Sequence, residues 1–167
     1  MRIRLASPGS LLLVILALSA CGGDPISDLR SAESITLFSI VSSPPRGVVL
    51  PTTGEQFRGY AVLGKMDISN AEAKKSIVDA LHQAILPGDA PRPACFEPRH
   101  GIRVKQLGMS TDLLICFECR KIQTFGLLSF IPIIYSEISV AAKPQKVLNA
   151  HLRKAGIPLD PSMKGDI

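Results

Sequence analysis

An apolar run near the N terminus constrains what this chain can fold into more than any other feature. Two arginines precede the run, residues 11–18 (LLLVILAL) form it, and the small residues Ser19 and Ala20 follow it. These are the three parts of an export signal, and the run is shorter than the ~20 residues that a membrane-spanning helix needs. Removing residues 1–20 from the 167-residue chain leaves enough for one domain with its own core.

Cys21 ends this segment in the sequence Leu-Ser-Ala-Cys-Gly. The segment resembles the lipobox of bacterial lipoproteins at every position. The resemblance implies a diacylglycerol thioether on Cys21, cleavage before it and acylation of the new amine, with palmitate among the expected fatty acids. Two or more acyl chains hold a protein stably at a bilayer without a transmembrane helix. A plain signal peptide with a chance cysteine is the alternative.

The lipobox resemblance also implies a location. It places the protein outside the cytoplasm, anchored by acyl chains in the cell membrane. Gly22 follows the modified cysteine where an aspartate would favour retention in the inner membrane. The resemblance therefore favours the outer membrane if the cell is Gram-negative.

Charge and composition bear on the partners of the mature chain. The full chain carries a net charge of +5, and the removed signal takes two arginines and no acids with it. The remaining basic residues are scattered and tryptophan is absent, which is not typical of a nucleic-acid-binding surface. We expect no nucleic-acid partner, and the lipid bilayer is the only partner that the sequence indicates.

The chain divides into four parts by composition. Residues 1–20 form the signal, and residues 21–33 form the lipidated cysteine and a polar, flexible tether rich in Gly, Pro, Asp and Ser. Residues 34–160 form a single domain, and residues 161–167 form a polar tail.

Hydrophobic periodicity predicts both strands and helices within the domain. Strands are expected at residues 34–41, 57–68, 95–105, 112–125 and 127–138. A Ser69-x-x-Glu72 capping box opens one helix, which Pro87-Gly88 ends, and Pro144 opens another that ends at Gly156. The pattern predicts an α+β fold, with a mainly antiparallel sheet of four to five strands and two amphipathic helices on one face.

Three cysteines remain when Cys21 is lipidated, and a disulfide is one interpretation of them. Residues 116 and 119 of a regular strand lie about 10 Å apart, whereas a disulfide needs Cα atoms within ~7 Å. A Cys116–Cys119 bridge therefore requires the strand to end or turn near residues 117–118. A cross-strand Cys95–Cys119 bridge needs only a bulge near Pro98 and leaves Cys116 buried and unpaired.

A metal site is the second interpretation. Cys95, His100, Cys116 and Cys119 form a Cys3His set that suits zinc if the Cys-Phe-Glu-Cys segment folds as a knuckle. Thiol redox activity is a third alternative, but a reactive Cys-x-x-Cys usually opens a helix, and this one follows a strand. Packed thiols without chemistry are the simplest alternative.

Arg99 and His100 lie in the unusual run Pro-Arg-His-Gly and are candidates for an anion-binding pocket. Several other charged residues of the hairpin could converge with them at one end: Glu97, Arg103, Asp112, Glu118 and Arg120. The alternative is a solvated sheet face on which cross-strand ion pairs contribute little.

Four segments of the domain resemble a group of uncharacterised bacterial proteins. They are residues 57–68, 95–103, 112–119 and 155–159. The resemblance spans most of the mature domain and implies a shared fold, but the group carries no assigned activity.

The sequence favours a non-catalytic role. It contains no Gly-x-Ser-x-Gly, no His-Glu-x-x-His and no phosphate-binding glycine loop. We therefore expect a membrane-anchored extracytoplasmic lipoprotein with an accessory or binding role and no assigned catalytic residue. A periplasmic zinc-binding protein is the second hypothesis, and a small enzyme working around Arg99 and His100 is the third.

Overall fold

A computed structural model of the chain describes residues 29–42, 49–86, 94–126, 134–139 and 143–163. Within these residues the chain forms one seven-stranded sheet, two helices of more than ten residues and a short helical segment at residues 29–31. In chain order the elements are β1 (Ser34–Val41), β2 (Gln56–Phe57), β3 (Tyr60–Asp67), α1 (Ala71–Ala84), β4 (His100–Gln106), β5 (Met109–Cys116), β6 (Lys121–Phe125), β7 (Ile134–Glu137) and α2 (Pro144–Lys154).

All neighbouring strands of the sheet run antiparallel, in the order β2-β3-β1-β4-β5-β6-β7. The predicted α+β class and antiparallel sheet are confirmed, but the described residues hold seven strands in place of four to five. The extra strands arise because two predicted strands each turn back on themselves. The expectation that both helices cover one face stays a prediction.

The first of these turns divides the strand predicted at residues 57–68. Arg58 and Gly59 both adopt positive φ, and Phe57 pairs with Tyr60 across them. Two consecutive residues with positive φ form the tight hairpin turn whose twist matches that of the flanking strands. The segment predicted as a single strand is therefore part of a short β2–β3 hairpin.

The second turn divides the strand predicted at residues 112–125. β5 ends at Cys116, residues 117–120 turn, and β6 begins at Lys121, which pairs with Cys116. Arg120 has a φ of 54°, which is uncommon for a residue with a side chain. The Cys-x2-Cys motif therefore lies at a turn and not within a strand.

Two apolar clusters form the core. Successive side chains of a strand point to opposite faces of the sheet, so each strand supplies both clusters. The first cluster contains buried residues of both helices and of several strands, among them Ile77, Leu81, Leu148, Leu152, Ile35, Leu37, Ile102, Leu113, Ile115 and Ile122. The second lies on the other side of the strands and is formed by Phe38, Ile40, Phe57, Val62, Leu114 and Phe125.

Helix α1 begins one residue later than the capping box implies. Asn70 is the cap, because its Oδ1 accepts hydrogen bonds from the amides of Glu72 at 2.8 Å and Ala73 at 3.0 Å. Ser69 precedes this position, so the predicted Ser69–Glu72 box is wrong. Asparagine caps a helix as well as serine does.

Helix α2 begins and ends as predicted. Pro144 occupies its first turn, and Gly156 follows it with a φ of 69°. The amide of Gly156 donates to the carbonyl of Arg153, and the amide of Ile157 donates to the carbonyl of Leu152, each at 2.9 Å. These two bonds form a Schellman motif, and Ile157 packs against the first apolar cluster.

The domain extends slightly beyond both predicted boundaries. Leu29 and Ala32, assigned to the flexible tether, are buried in the first cluster, so this end of the tether belongs to the fold. At the other end, Ser162 and Met163 of the predicted tail bind Asp160 and Gln145. None of the described helices has the length and apolar character that a membrane crossing requires.

Candidate functional site

Arg99 is held among three carboxylates. Its Nη1 lies 3.2 Å from Glu118, its Nε lies 3.4 Å from Asp160 and its Nη2 lies 3.5 Å from Glu97. The Arg99 side chain is 9% exposed and that of Asp160 is fully buried. Because these acids already surround the guanidinium, the geometry does not support the predicted anion-binding pocket at Arg99.

His100 is fully buried on the sheet face that carries the first cluster. Its Nε2 lies 2.8 Å from Oδ1 of Asn149 on α2, so the amide oxygen accepts the hydrogen bond and Nε2 carries the proton. Nδ1 has no hydrogen-bond partner among the described residues. Burial lowers the pKa of His100 to about 4, and the nearby Arg99 contributes, so the ring is neutral at neutral pH.

A small cavity of about 10 Å³ adjoins His100. That volume is about what one water molecule occupies. Arg99, Phe117, Glu118 and Gln145 are among the residues that line it. The His100 ring also packs edge-on against Phe117, with the two ring centroids 5.2 Å apart. A neutral imidazole packed in this way beside so small a space is a core histidine and not an exposed ligand.

The cysteines do not form the predicted zinc set. Cys116 and Cys119 are joined in a disulfide with Cα atoms 5.3 Å apart, and Cys95 is an exposed free thiol. His100 pairs with Ile115, so its side chain and that of Cys116 lie on opposite faces of the sheet. The described residues contain no group of three or more His, Cys, Asp or Glu side chains placed to hold a metal ion.

The predicted Cys95–Cys119 bridge is also wrong. A Cys116–Cys119 bridge required the strand to end or turn near residues 117–118. The structure meets this requirement, because β5 ends at Cys116 and the chain turns at once. Within this turn the amide of Cys119 donates to Sγ of Cys116 at 3.0 Å. Cys21, the predicted lipidation site, lies outside the described residues.

The charged residues of the hairpin are divided between separate places. Arg99 and Glu118 lie near His100, whereas Arg103 and Asp112 lie on the other face of the sheet. Arg120 pairs with Glu137 at 2.9 Å. The predicted convergence of all these groups at one end of the hairpin is therefore wrong, because odd- and even-numbered residues of one strand point to opposite faces of the sheet.

Asp112 forms a second buried ionic group that the sequence did not single out as a unit. It is 1% exposed and binds Arg103 at 2.8 Å and Arg58 at 2.7 Å. Arg58 also lies over the ring of Phe125, 4.7 Å from its centroid, and Arg103 lies 5.3 Å from that of Phe57. Arg58 comes from the β2–β3 turn, which no local sequence signal connects to Asp112.

An open cleft of about 490 Å³ lies where the start of α1 meets the end of α2. This volume is within the range of small-molecule sites. Its lining carries acids on one side and bases on the other: Asp67, Glu72, His151 and Lys154. Partial burial lowers the pKa of His151, and Lys154 lowers it further, so His151 contributes a neutral ring at neutral pH.

No protein-family model matches this chain, and the comparisons with curated proteins and with solved structures gave no significant match.

Proposed function

We propose that this protein is an extracytoplasmic lipoprotein, anchored through Cys21, with an accessory or binding role. The observation that carries the proposal is the sequence Leu18-Ser19-Ala20-Cys21 at the end of a short apolar run. Acyl chains on one cysteine would hold the domain at a bilayer, since two or more chains bind a membrane stably.

The Cys116–Cys119 disulfide supports a location outside the cytoplasm. Disulfides persist in oxidising compartments and are rare where thioredoxin and glutathione keep thiols reduced. Cys116 is 1% exposed, so the bridge is partly shielded at the end of β5.

The cleft between the helix ends supports a binding role. It combines apolar side chains, such as Met66 and Ile68, with acidic and basic ones, such as Glu72 and Lys154. A small number of convergent polar groups in a concave surface is what orients a ligand in a binding site. The same cleft is the surface at which we expect the partner to be met.

Acylation and membrane location can be measured on the full chain produced in a bacterium. We expect the native protein to begin at Cys21, to carry three acyl chains or two by mass spectrometry, and to fractionate with membranes. Cys21→Ser should abolish acylation and membrane attachment. Cys95→Ser is the matched control, because it removes an exposed thiol of the domain and should change neither.

An unprocessed N terminus, or a trimmed chain without fatty acids, would overturn the anchor. The binding role is tested with a photo-crosslinking residue at Ser76, which lines the cleft, in intact cells. The same residue at His82, exposed in the last turn of α1, is the control. A discrete adduct at position 76 alone supports the cleft, and equal labelling at both positions contradicts it.

A further inference from the structure

The hairpin between β4 and β5 presents two large apolar side chains to solvent at its tip. Leu107 is 78% exposed and Met109 is 52% exposed, whereas most large apolar side chains of the described residues are buried. Leu107 and Gly108 form the turn, with φ values of 50° and 75°. Asparagine or aspartate is the usual first residue of such a turn, and a leucine there is held in a costly conformation.

The chain that leads from Cys21 enters the fold beside this tip. The amide of Glu33 donates to the carbonyl of Lys105 at 2.8 Å, and the amide of Leu107 donates to Oε1 of Glu33 at 2.9 Å. Gln106 donates from Nε2 to Oγ of Ser31 at 2.8 Å. Residues 31–33 are therefore fixed alongside the last residues of β4.

The length of chain between the anchor and the fold limits how far the tip can lie from the bilayer. Residues 22–28 separate Cys21 from the buried Leu29. Eight Cα–Cα steps span at most about 29 Å when fully extended. Residues 29–33 enter the fold at the end of the domain that carries Leu107, so this is the end that a short tether holds near the anchored Cys21.

Basic side chains surround the same end of the domain. Arg30 and Lys105 are exposed, and Lys74 and Lys75 lie on the adjoining part of α1, where Lys74 donates to the carbonyl of Ala32. The acidic groups beside these bases are Glu33, which binds the Leu107 amide, Asp79, which pairs with Lys75, and Glu72 in the first turn of α1. Four bases against three acids leave a small positive surplus, which complements a surface of anionic lipid.

We propose that the β4–β5 hairpin tip is a second membrane contact, with Leu107 and Met109 entering the interfacial region of an anionic phospholipid bilayer. This proposal rests on the proposed acylation of Cys21. Leu107 and Met109 supply the apolar contact, and Arg30 and Lys105 supply attraction to lipid headgroups. The contact fixes which side of the domain faces the membrane. The Val41 end of β1 and the Tyr60 end of β3 then point away from the bilayer.

The absence of tryptophan from the chain makes a direct test possible. Leu107→Trp is introduced in the full chain, and the acylated protein is reconstituted in vesicles of phosphatidylethanolamine and phosphatidylglycerol. Met109→Trp is the second variant, in case Leu107→Trp does not fold. Tyr60→Trp is the control. Tyr60 is next to Ala61, which pairs with Val41, and Val41 lies about 23 Å along β1 from Ser34, the residue that pairs with Lys105 near the tip.

We expect emission from positions 107 and 109 to shift to shorter wavelength on reconstitution and to be lost when brominated lipid is included, with no such change at position 60. Adding Lys105→Glu to the Leu107→Trp chain should reduce the quenching in anionic vesicles. Acylated protein without quenching at 107 and 109, or with equal quenching at 60, overturns the hairpin contact and leaves the anchor standing. A chain without acyl groups by mass spectrometry overturns both proposals.

Discussion

Asp112 accepts two parallel hydrogen bonds from Arg103, its partner across the β4–β5 ladder. Nε of Arg103 lies 2.8 Å from Oδ1, and Nη2 lies 2.8 Å from Oδ2. Arg58 binds the same carboxylate at 2.7 Å. The carboxylate is 1% exposed, so both cations compensate for its removal from water.

Replacing this carboxylate should be costly. We expect Asp112→Asn to lower the free energy of unfolding by about 3 kcal/mol, because two charge-assisted contacts weaken at a buried position. Urea denaturation measures the effect. Asp79→Asn is the control, since it removes a surface partner of Lys75 and should change the free energy of unfolding far less. Equal losses in the two variants would contradict the role assigned to Asp112.

Gly101 is required by the ring that covers it. A Cβ at position 101 would lie 2.5 Å and 2.6 Å from two ring carbons of Phe57, which itself stacks on Phe38 with centroids 4.2 Å apart. Gly101→Ala should therefore destabilise the protein by about 1–3 kcal/mol. In a Phe57→Leu background the same substitution should cost less, and a double-mutant cycle measures the difference. An unchanged cost in that background would show that the ring is not the obstacle.

Stability should fall in mild acid because of His100. Its pKa is lowered from 6.5 to about 4 in the folded protein, so the unfolded chain takes up the proton first. The contribution is complete above pH 6.5 and is lost progressively towards pH 4, by about 3 kcal/mol in total. The hydrogen bond to Asn149 and the negative charge of Asp160 oppose this lowering of the pKa.

Unfolding curves at about pH 7 and about pH 4.5 test the His100 prediction. His100→Gln should remove most of the pH dependence in this interval. His82→Gln, on an exposed position of α1, should leave it intact. If both variants keep the dependence of the native protein, another group is responsible for it.

The disulfide predicts a specific thiol count. In a Cys21→Ser chain under denaturing, non-reducing conditions, we expect Cys95 to be the single reactive thiol, with Cys116 and Cys119 becoming reactive after reduction. Replacing both bridged cysteines by alanine should cost about 2 kcal/mol, because the closed loop is short. Cys95→Ala should change stability by no more than ~0.5 kcal/mol. Protection of Cys95 instead would indicate a different pairing.

Local sequence signals predicted the elements that depend on local interactions. The strand at residues 34–41 is confirmed residue for residue, and the helix from Pro144 to the glycine cap is confirmed with both of its Schellman bonds. Alternation, a first-turn proline and a terminal glycine each act within a few residues, so they can be recognised without knowledge of the fold.

The parts that the sequence did not predict depend on contacts between distant residues or on unusual backbone conformations. Arg58 and Arg120 both occupy positive φ, which arginine rarely adopts, so neither turn had a recognisable signal. His100 and Asn149 meet across 49 residues, and Arg58 reaches Asp112 across 54. The candidate zinc set failed for a related reason, since the turn after Cys116 converts two separate ligands into a bonded pair.

The last described residues are tied to the strand that comes first. Oγ of Ser39 on β1 donates to the carbonyl of Pro158, a Cβ on Gly64 would collide with Ile157, and Asp160 holds Arg99. The first strand of the sheet therefore completes its contacts only with residues that come last in the described part of the chain. During synthesis these contacts cannot form until residues 157–160 have left the ribosome, so the order of the chain delays the final closure of this part of the fold.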